Sequence, residues 1–152
     1  MNRDILIGIS GALITGIAIG VQATFSGRVG SAIGDVQTGI LTNLVGGLAA
    51  GLILIAILAA RGTGKLQLSQ RDVVMLVSSG ILGILIITGI SFSLQRAGVA
   101  AGLATVILGQ LMISAVVDTL GLGGAEPIPL SLARISGLVL MGASVFLLVP
   151  KS

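Results

Sequence analysis

The chain of 152 residues contains no cysteine and no histidine. Disulfide bonds, thiolate chemistry and the usual zinc sites are therefore excluded, because each of them needs one of these side chains. Tryptophan and tyrosine are absent too, and phenylalanine occurs only three times. The sequence thus lacks the aromatic belt that is common at membrane interfaces. Within one chain it also lacks the ring faces that would cage a bulky organic cation.

Charged residues are scarce, at 9% of the sequence, against about 25% in an average soluble domain. They are scattered at the ends of apolar stretches, so the net charge of +3 forms no nucleic-acid patch. We expect no enzyme, because the chain has no acid–base pair in mid-stretch, no G-x-S-x-G motif and no phosphate loop. A proton-carrying rotor subunit is excluded by the missing mid-helix carboxylate. No cofactor and no metal ion are expected.

What the sequence has instead is five long apolar stretches. Each is about 20 residues or longer, which is the length of a helix that crosses a hydrocarbon core of about 30 Å. Backbone polar groups have no water partner in lipid, so each stretch is predicted to be a helix. A barrel strand would alternate apolar and polar residues, and runs such as 52–58 do not. We predict one all-α domain over 1–152, with five transmembrane helices near 5–24, 36–60, 72–95, 97–120 and 131–149.

The distribution of basic residues gives the chain only a weak orientation in the membrane. If five helices cross, the N-terminus and the connections after the second and fourth helices share one side. The larger set, predicted to be cytoplasmic, is Arg3, Arg61, Lys65, Arg71 and Arg134. The opposite side carries Arg28, Arg96 and Lys151. With so small a difference, insertion in both orientations is a second possibility.

In lipid, close packing of helices depends on small residues that let the backbones approach each other, and the chain has 24 glycines. Three pairs have the spacing of a helix-pairing motif: Gly16/Gly20, Gly47/Gly51 and Gly98/Gly102. Packing within one chain is the favoured interpretation of each pair, and a dimer contact is the alternative.

Polar groups within the apolar stretches are amides and hydroxyls that fall on helical faces. In the fourth helix, for example, Gln110, Ser114 and Asp118 are spaced four apart and follow one side. These groups either bridge neighbouring helices or line a cavity for a small polar or zwitterionic solute. Bridging is favoured for the hydroxyls, and both interpretations stay open for Gln22, Asn43 and Gln110. The candidate substrate-binding residues are Gln22, Asn43, Gln110, Ser114, Thr15 and Ser91.

Asp118 lies near the end of the fourth helix, on the side where Arg134 begins the fifth. A terminal ion pair is the simpler interpretation. The alternative makes the pair a coupling or gating element whose proton state follows a conformational cycle.

The whole chain resembles the YdcZ-like, half-size family of the drug/metabolite transporter superfamily. The resemblance rests on a glycine-led first helix that contains Gln22, and on an ordered set of residues in the second half. That set is Gly109-Gln110-Leu111, Asp118, Gly121, Pro129-Leu130-Ser131, Arg134 and Gly137. The sequence departs from the family in carrying Ser26 where an Asn is expected. It also lacks the first-helix Glu of small multidrug transporters, so their proton exchange is not carried over.

The resemblance implies a multi-pass protein of the bacterial inner (plasma) membrane. Full-size members of the superfamily have ten helices in two inverted repeats, so a five-helix chain would equal one repeat and work as a dimer. The partner would be a second copy, antiparallel to the first, or a similar five-helix protein. The implied activity is secondary transport of a small polar or zwitterionic metabolite by alternating access. The alternative is a non-transporting membrane assembly or partner subunit.

Overall fold

The computed structural model describes residues 3–62, 68–122 and 126–150. Across these residues the chain forms five α-helices and no strand, as the sequence predicts. Two basic residues that entered the orientation argument, Lys65 and Lys151, lie outside the described residues. The helices are α1 (Arg3–Ile33), α2 (Asp35–Arg61), α3 (Gln70–Ala97), α4 (Val99–Leu120) and α5 (Leu132–Leu148).

Helix α1 is longer than the sequence predicts. The sequence predicts a first helix near 5–24, but the helix continues through Ser26 and ends at Ile33. Its 31 residues extend about 46 Å, well beyond a hydrocarbon core of about 30 Å. No proline interrupts the added segment, and Ser26 within it is buried, with its carbonyl oxygen 3.3 Å from the Ser91 hydroxyl on α3. The helix stops only at Gly34, whose φ of 96° is a conformation that favours glycine.

The other helix ends carry recognisable capping chemistry. Before α3, the Ser69 hydroxyl and Asp72 form a reciprocal capping box: the Asp72 amide donates to Ser69 Oγ over 3.2 Å, and the Ser69 amide donates to Asp72 Oδ2 over 3.0 Å. Helix α5 begins after Ser131, whose side chain accepts from the Arg134 amide over 3.3 Å. Helix α4 ends in a left-handed Gly121, as in a Schellman motif.

Four helices, α1 to α4, are long and apolar enough to cross a membrane. Helix α5 has 17 residues, about 25 Å, which lies at the lower limit for a crossing. Large apolar side chains point outward along these helices; Leu13 is 66% exposed and Leu52 is 70% exposed. In water such a surface would cause aggregation, so it fits a protein covered by lipid.

The chain divides into two compact units, which are described separately. The central unit comprises 21–92, and the terminal unit comprises 1–20 with 93–152. In the central unit the backbones of α2 and α3 touch at Gly39. A Cβ atom built on Gly39 would lie 2.7 Å from the Ile84 carbonyl oxygen and would overlap the Thr88 hydroxyl. Only a glycine permits this approach.

A hydrogen-bonded cluster holds the three helix segments of the central unit together. The buried Ser91 hydroxyl on α3 lies 2.6 Å from Asp35 Oδ1 at the start of α2. It also lies 3.3 Å from the carbonyl oxygen of Ser26 on α1. Next to this cluster, the fully buried Thr38 donates to the Gly34 carbonyl over 2.8 Å. The interior of this unit is therefore built largely from hydroxyl groups and small residues.

In the terminal unit α4 packs against α5, and the last turn of α3 packs against the first turns of α4. Gly98 connects α3 and α4 with a φ of 78°. A Cβ atom on Gly102 would lie 3.0 Å from Leu94 Cδ1, and the neighbouring Ala101 is buried. Small residues on α4 thus allow the helix to lie close to the end of α3.

Gly102 packs within the chain, as expected, whereas several other glycines of the three pairs have no close neighbour at the Cβ position. Cβ atoms built on Gly16, Gly47 and Gly51 meet nothing within 4 Å in the described structure.

Replacing Gly39 with alanine is expected to destabilise the protein by about 1–3 kcal/mol, because the added methyl group overlaps backbone that cannot turn away. Gly51→Ala is the matched control on the same helix, since its Cβ atom meets open space. We expect the control to be neutral or up to about 1 kcal/mol more stable. Far-UV circular dichroism during detergent-induced unfolding measures both variants, and equal effects would contradict the close contact.

Candidate functional site

The central unit contains a cleft of about 530 Å³ lined by residues from α1, α2 and α3. We call it the amide cleft, because Gln22 and Asn43 provide its carboxamides. Small and aliphatic residues form most of the remaining wall. The full lining is Gln22, Thr42, Asn43, Gly46, Gly47, Ala50, Gly80, Gly83, Ile86 and Ile87.

Asn43 is held so that its oxygen points toward α3. Its Nδ2 donates to the Gly39 carbonyl, one turn earlier on α2, over 2.9 Å. The Oδ1 atom lies 2.7 Å from the position of a Cβ atom built on Gly83, so a larger residue at 83 would displace this amide group. Gln22, from α1, brings a second carboxamide with two N–H hydrogens and an acceptor oxygen.

The lining residues of the amide cleft offer hydrogen bonds but no charge. Amide and hydroxyl groups can replace the water shell of a polar solute, whereas a net ionic charge would be left uncompensated among apolar walls. Glycines at four wall positions let a ligand approach the helix backbones closely. The arrangement suits a small uncharged or zwitterionic molecule.

A second cleft, of about 360 Å³, lies between α4 and α5 in the terminal unit. We call it the ion-pair cleft, because Arg134 Nη2 lies 3.0 Å from Asp118 Oδ2 at its polar end. Its lining is Leu111, Ser114, Ala115, Asp118, Arg134, Gly137, Leu138 and Met141. From Asp118 to Leu111 the cleft follows α4 for about 10 Å into apolar surroundings.

The ion pair joins the end of α4 to the beginning of α5. Asp118 carries negative charge to the N-terminal end of α5, and Arg134 carries positive charge to the C-terminal end of α4. Each charge therefore interacts favourably with the dipole of the neighbouring helix. The side chains are 35% (Arg134) and 43% (Asp118) exposed, which indicates a partly solvated pair. This supports the terminal ion pair that the sequence predicted.

The structure brings some predicted site residues together and leaves others apart. Gln22 and Asn43 share the amide cleft, and Ser114 shares the ion-pair cleft with Asp118 and Arg134. Thr15 and Gln110 line neither cleft. Thr15 donates to the Gly11 carbonyl of its own helix over 2.9 Å, and Gln110 is exposed. Their substrate-binding roles stay predictions.

Ser91 is also a predicted binding residue, and in the structure its hydroxyl is buried against Asp35. Sequence reasoning missed the contact between Ser91 and Asp35, and it did not include Thr42, which lines the amide cleft beside Asn43, among the candidate binding residues. A signal for the contact between Ser91 and Asp35 was present in the sequence. A polar residue near the end of α3 is expected at the same depth in the membrane as an acidic residue in the first turn of α2. Among the described residues, no cluster of carboxylates could hold a metal ion.

An all-helical chain with a lipid-type surface and polar clefts between its helices has the organisation of a membrane transport protein. Comparison with protein families agrees with this class: the family described as "Putative inner membrane exporter, YdcZ" matches residues 7–147. Because the match covers most of the chain, the protein belongs to this family. The family is one of membrane exporters, which is not a class of enzymes. Comparison with curated proteins and with solved structures gave no match.

A double-mutant cycle with Asp118→Ala and Arg134→Ala is expected to give a coupling energy of about 0.2–1 kcal/mol, because both side chains are partly exposed. Circular dichroism during unfolding supplies the four stabilities. A coupling energy above about 3 kcal/mol, the range of buried pairs, would contradict a partly solvated pair.

Proposed function

We propose that the protein is a secondary transporter that exports a small polar or zwitterionic metabolite from the cell. The family supports export across the inner membrane. The amide cleft is the observation that supports the solute class, because Gln22 and Asn43 both line it and none of its lining residues is charged. On binding, the substrate would lose its water shell, and hydrogen bonds to these carboxamides and to the hydroxyl of Thr42 would replace those to water.

The proposed working unit is a dimer that alternates between two open states. An exposed glycine on α1 supports it, because Gly16 leaves a notch that no described residue of this chain fills. A second copy could pack a helix into such a notch, as small-residue motifs do in membranes. In an antiparallel dimer the two copies would form inverted repeats, and rocking between them would expose the amide clefts to either side in turn.

The ion pair of Asp118 and Arg134 has a proposed gating role in this cycle. It ties α4 to α5 near the ends of these helices, so its opening would release the two helices from each other. A partly solvated pair contributes little stability, so it can break and re-form at low cost.

A substrate path through the amide cleft is tested with a variant that fills the cleft with a larger apolar side chain and leaves every polar lining residue in place. Gly47→Leu adds a side chain that projects into open cleft space, and we expect at least a 10-fold loss of transport. The assay loads proteoliposomes with isotope-labelled amino acids, betaines and small amides, and mass spectrometry measures the solutes that leave. The wild-type protein should deplete at least one of them relative to empty liposomes.

Gly51→Leu is the matched control for this experiment. It lies one helical turn further along α2, has equally open space around its Cβ atom and does not line the cleft. It should transport at the wild-type rate within about twofold. Equal rates for both variants would contradict a substrate path through the amide cleft. Absence of any depletion by the wild-type protein would favour a non-transporting partner subunit.

Orientation is tested with one cysteine, since the chain has none of its own. Glu126→Cys suits this purpose, because residue 126 is exposed on the connection between α4 and α5. Ser69 does not suit it, because its hydroxyl caps α3. For an antiparallel homodimer we expect a membrane-impermeant maleimide to label about half of the copies in intact cells. All copies should react after lysis, and labelling of all or none in intact cells would contradict dual orientation.

A further inference from the structure

Only one of the two terminal nitrogens of the Arg134 guanidinium, in the ion-pair cleft, has a hydrogen-bond partner among the described residues. Its Nη2 atom donates to Asp118 Oδ2, whereas Nη1 is buried and has no acceptor among the described residues. A guanidinium carries its N–H groups in a planar fork that suits the two oxygens of an anionic group. A buried donor of this kind normally has a partner, so its lack of one indicates a place for a ligand oxygen.

The shape of the cleft adds a second requirement. Its polar end holds Ser114, Asp118 and Arg134, and its walls beyond them are apolar side chains such as Leu111, Leu138 and Met141. With about 360 Å³ it lies at the small end of the usual range of ligand pockets. A fitting molecule therefore has a compact polar head and an apolar body no longer than about two helical turns.

The charges that line the cleft distinguish between ligands of different net charge. The cleft is lined by one positive and one negative side chain, so its own charge balances. A ligand with a single charge would leave that charge uncompensated in apolar surroundings, whereas a zwitterion would not. A zwitterion can place its anionic oxygens at Arg134 Nη1 and its ammonium group at Asp118. A carboxylate has about four lone-pair positions, and Arg134 uses one.

We propose that the ion-pair cleft binds a zwitterion that carries an anionic oxygen group and an ammonium group close together on an apolar body. An aliphatic amino acid has this chemistry, and so does the head of a zwitterionic lipid. The anionic group completes the hydrogen bonding of Arg134 without displacing Asp118. This inference does not rest on transport, because it concerns binding at a cleft other than the amide cleft.

The first test measures equilibrium binding of tritiated L-leucine to the purified wild-type protein in detergent. We expect saturable binding that unlabelled L-leucine competes away. Two matched competitors carry only one of the charges: 4-methylpentanoate lacks the ammonium group and 3-methylbutylamine lacks the carboxylate. Each should compete at least 10-fold more weakly than L-leucine. Equal competition by either one would overturn the requirement for a zwitterion.

Two variants locate the ligand. The double variant Asp118→Asn with Arg134→Gln removes both charges together, so neither partner is left buried alone. Gly137→Leu fills the cleft while leaving the pair in place, because a Cβ atom on Gly137 meets nothing within 4 Å. Both should lower the affinity at least 10-fold. Gly142→Leu is the control, since residue 142 lies on the same helix, in open space, and does not line the cleft.

A second experiment distinguishes the two possible ligands, a free amino acid and the head group of a zwitterionic lipid. Native mass spectrometry of the protein extracted from membranes shows whether phosphatidylethanolamine remains bound in preference to phosphatidylglycerol. If L-leucine does not bind but this lipid is retained by wild type and lost in Gly137→Leu, the site stands with a lipid head as its ligand. If neither ligand binds, or if Gly137→Leu binds as well as Gly142→Leu, the proposal is wrong. Loss of transport in Gly47→Leu with unchanged L-leucine binding would show that the two clefts act separately.

Discussion

The contact between α2 and α3 at Gly39 determines most of what the central unit contains. Lipid gives helices no hydrophobic reason to associate, so close backbone contact and hydrogen bonds must hold them. Because Gly39 has no Cβ atom, the two helices lie close enough for polar side chains one turn away to meet the other helix. One turn before it, Asp35 reaches Ser91; one turn after it, Asn43 faces Gly83. The same contact thus sets both the buried cluster and one wall of the amide cleft.

The distribution of residue types differs from that of a soluble domain, because hydroxyl groups are buried and large apolar side chains are exposed. The largest fully buried side chains are Thr38 and Ser91, next to a few buried apolar residues such as Ile87 and Ile90, while most leucines and isoleucines cover the outside. In such an interior the position of each helix is specified by hydrogen-bond partners, because small residues alone would tolerate sliding. The hydroxyl of Ser91, shared between the carboxylate of Asp35 and the Ser26 carbonyl, provides that specification for three helix segments.

The sequence predicts the five helices well, because each is a long apolar run with a glycine or a capping serine at an end. It misplaces the end of α1, because the long apolar run ends near residue 24, whereas the structure buries Ser26 in the central unit and continues the helix to Ile33. The candidate site is predicted only in part. Helical spacing places Ser114 beside Asp118, but it cannot tell that Gln110, one turn earlier, falls outside the cleft. That depends on the angle at which α5 packs on α4, which no local pattern encodes. Likewise, the burial of Ser91 follows from the approach of α2 at Gly39.

Single glycines form two of the connections, Gly34 between α1 and α2 and Gly98 between α3 and α4. A connection of one residue cannot accommodate an insertion or a deletion without moving the helix that follows. Inserting or deleting a residue there would turn the following helix by about 100° and shift it by about 1.5 Å along its axis. Rows such as Asp35, Gly39 and Asn43 would then face away from their partners. Changes in chain length are therefore expected to be tolerated in the longer connections, which lie after α2 and after α4. If the helices cross the membrane in turn, these two connections lie on the same face, so that face can vary in length more freely than the other.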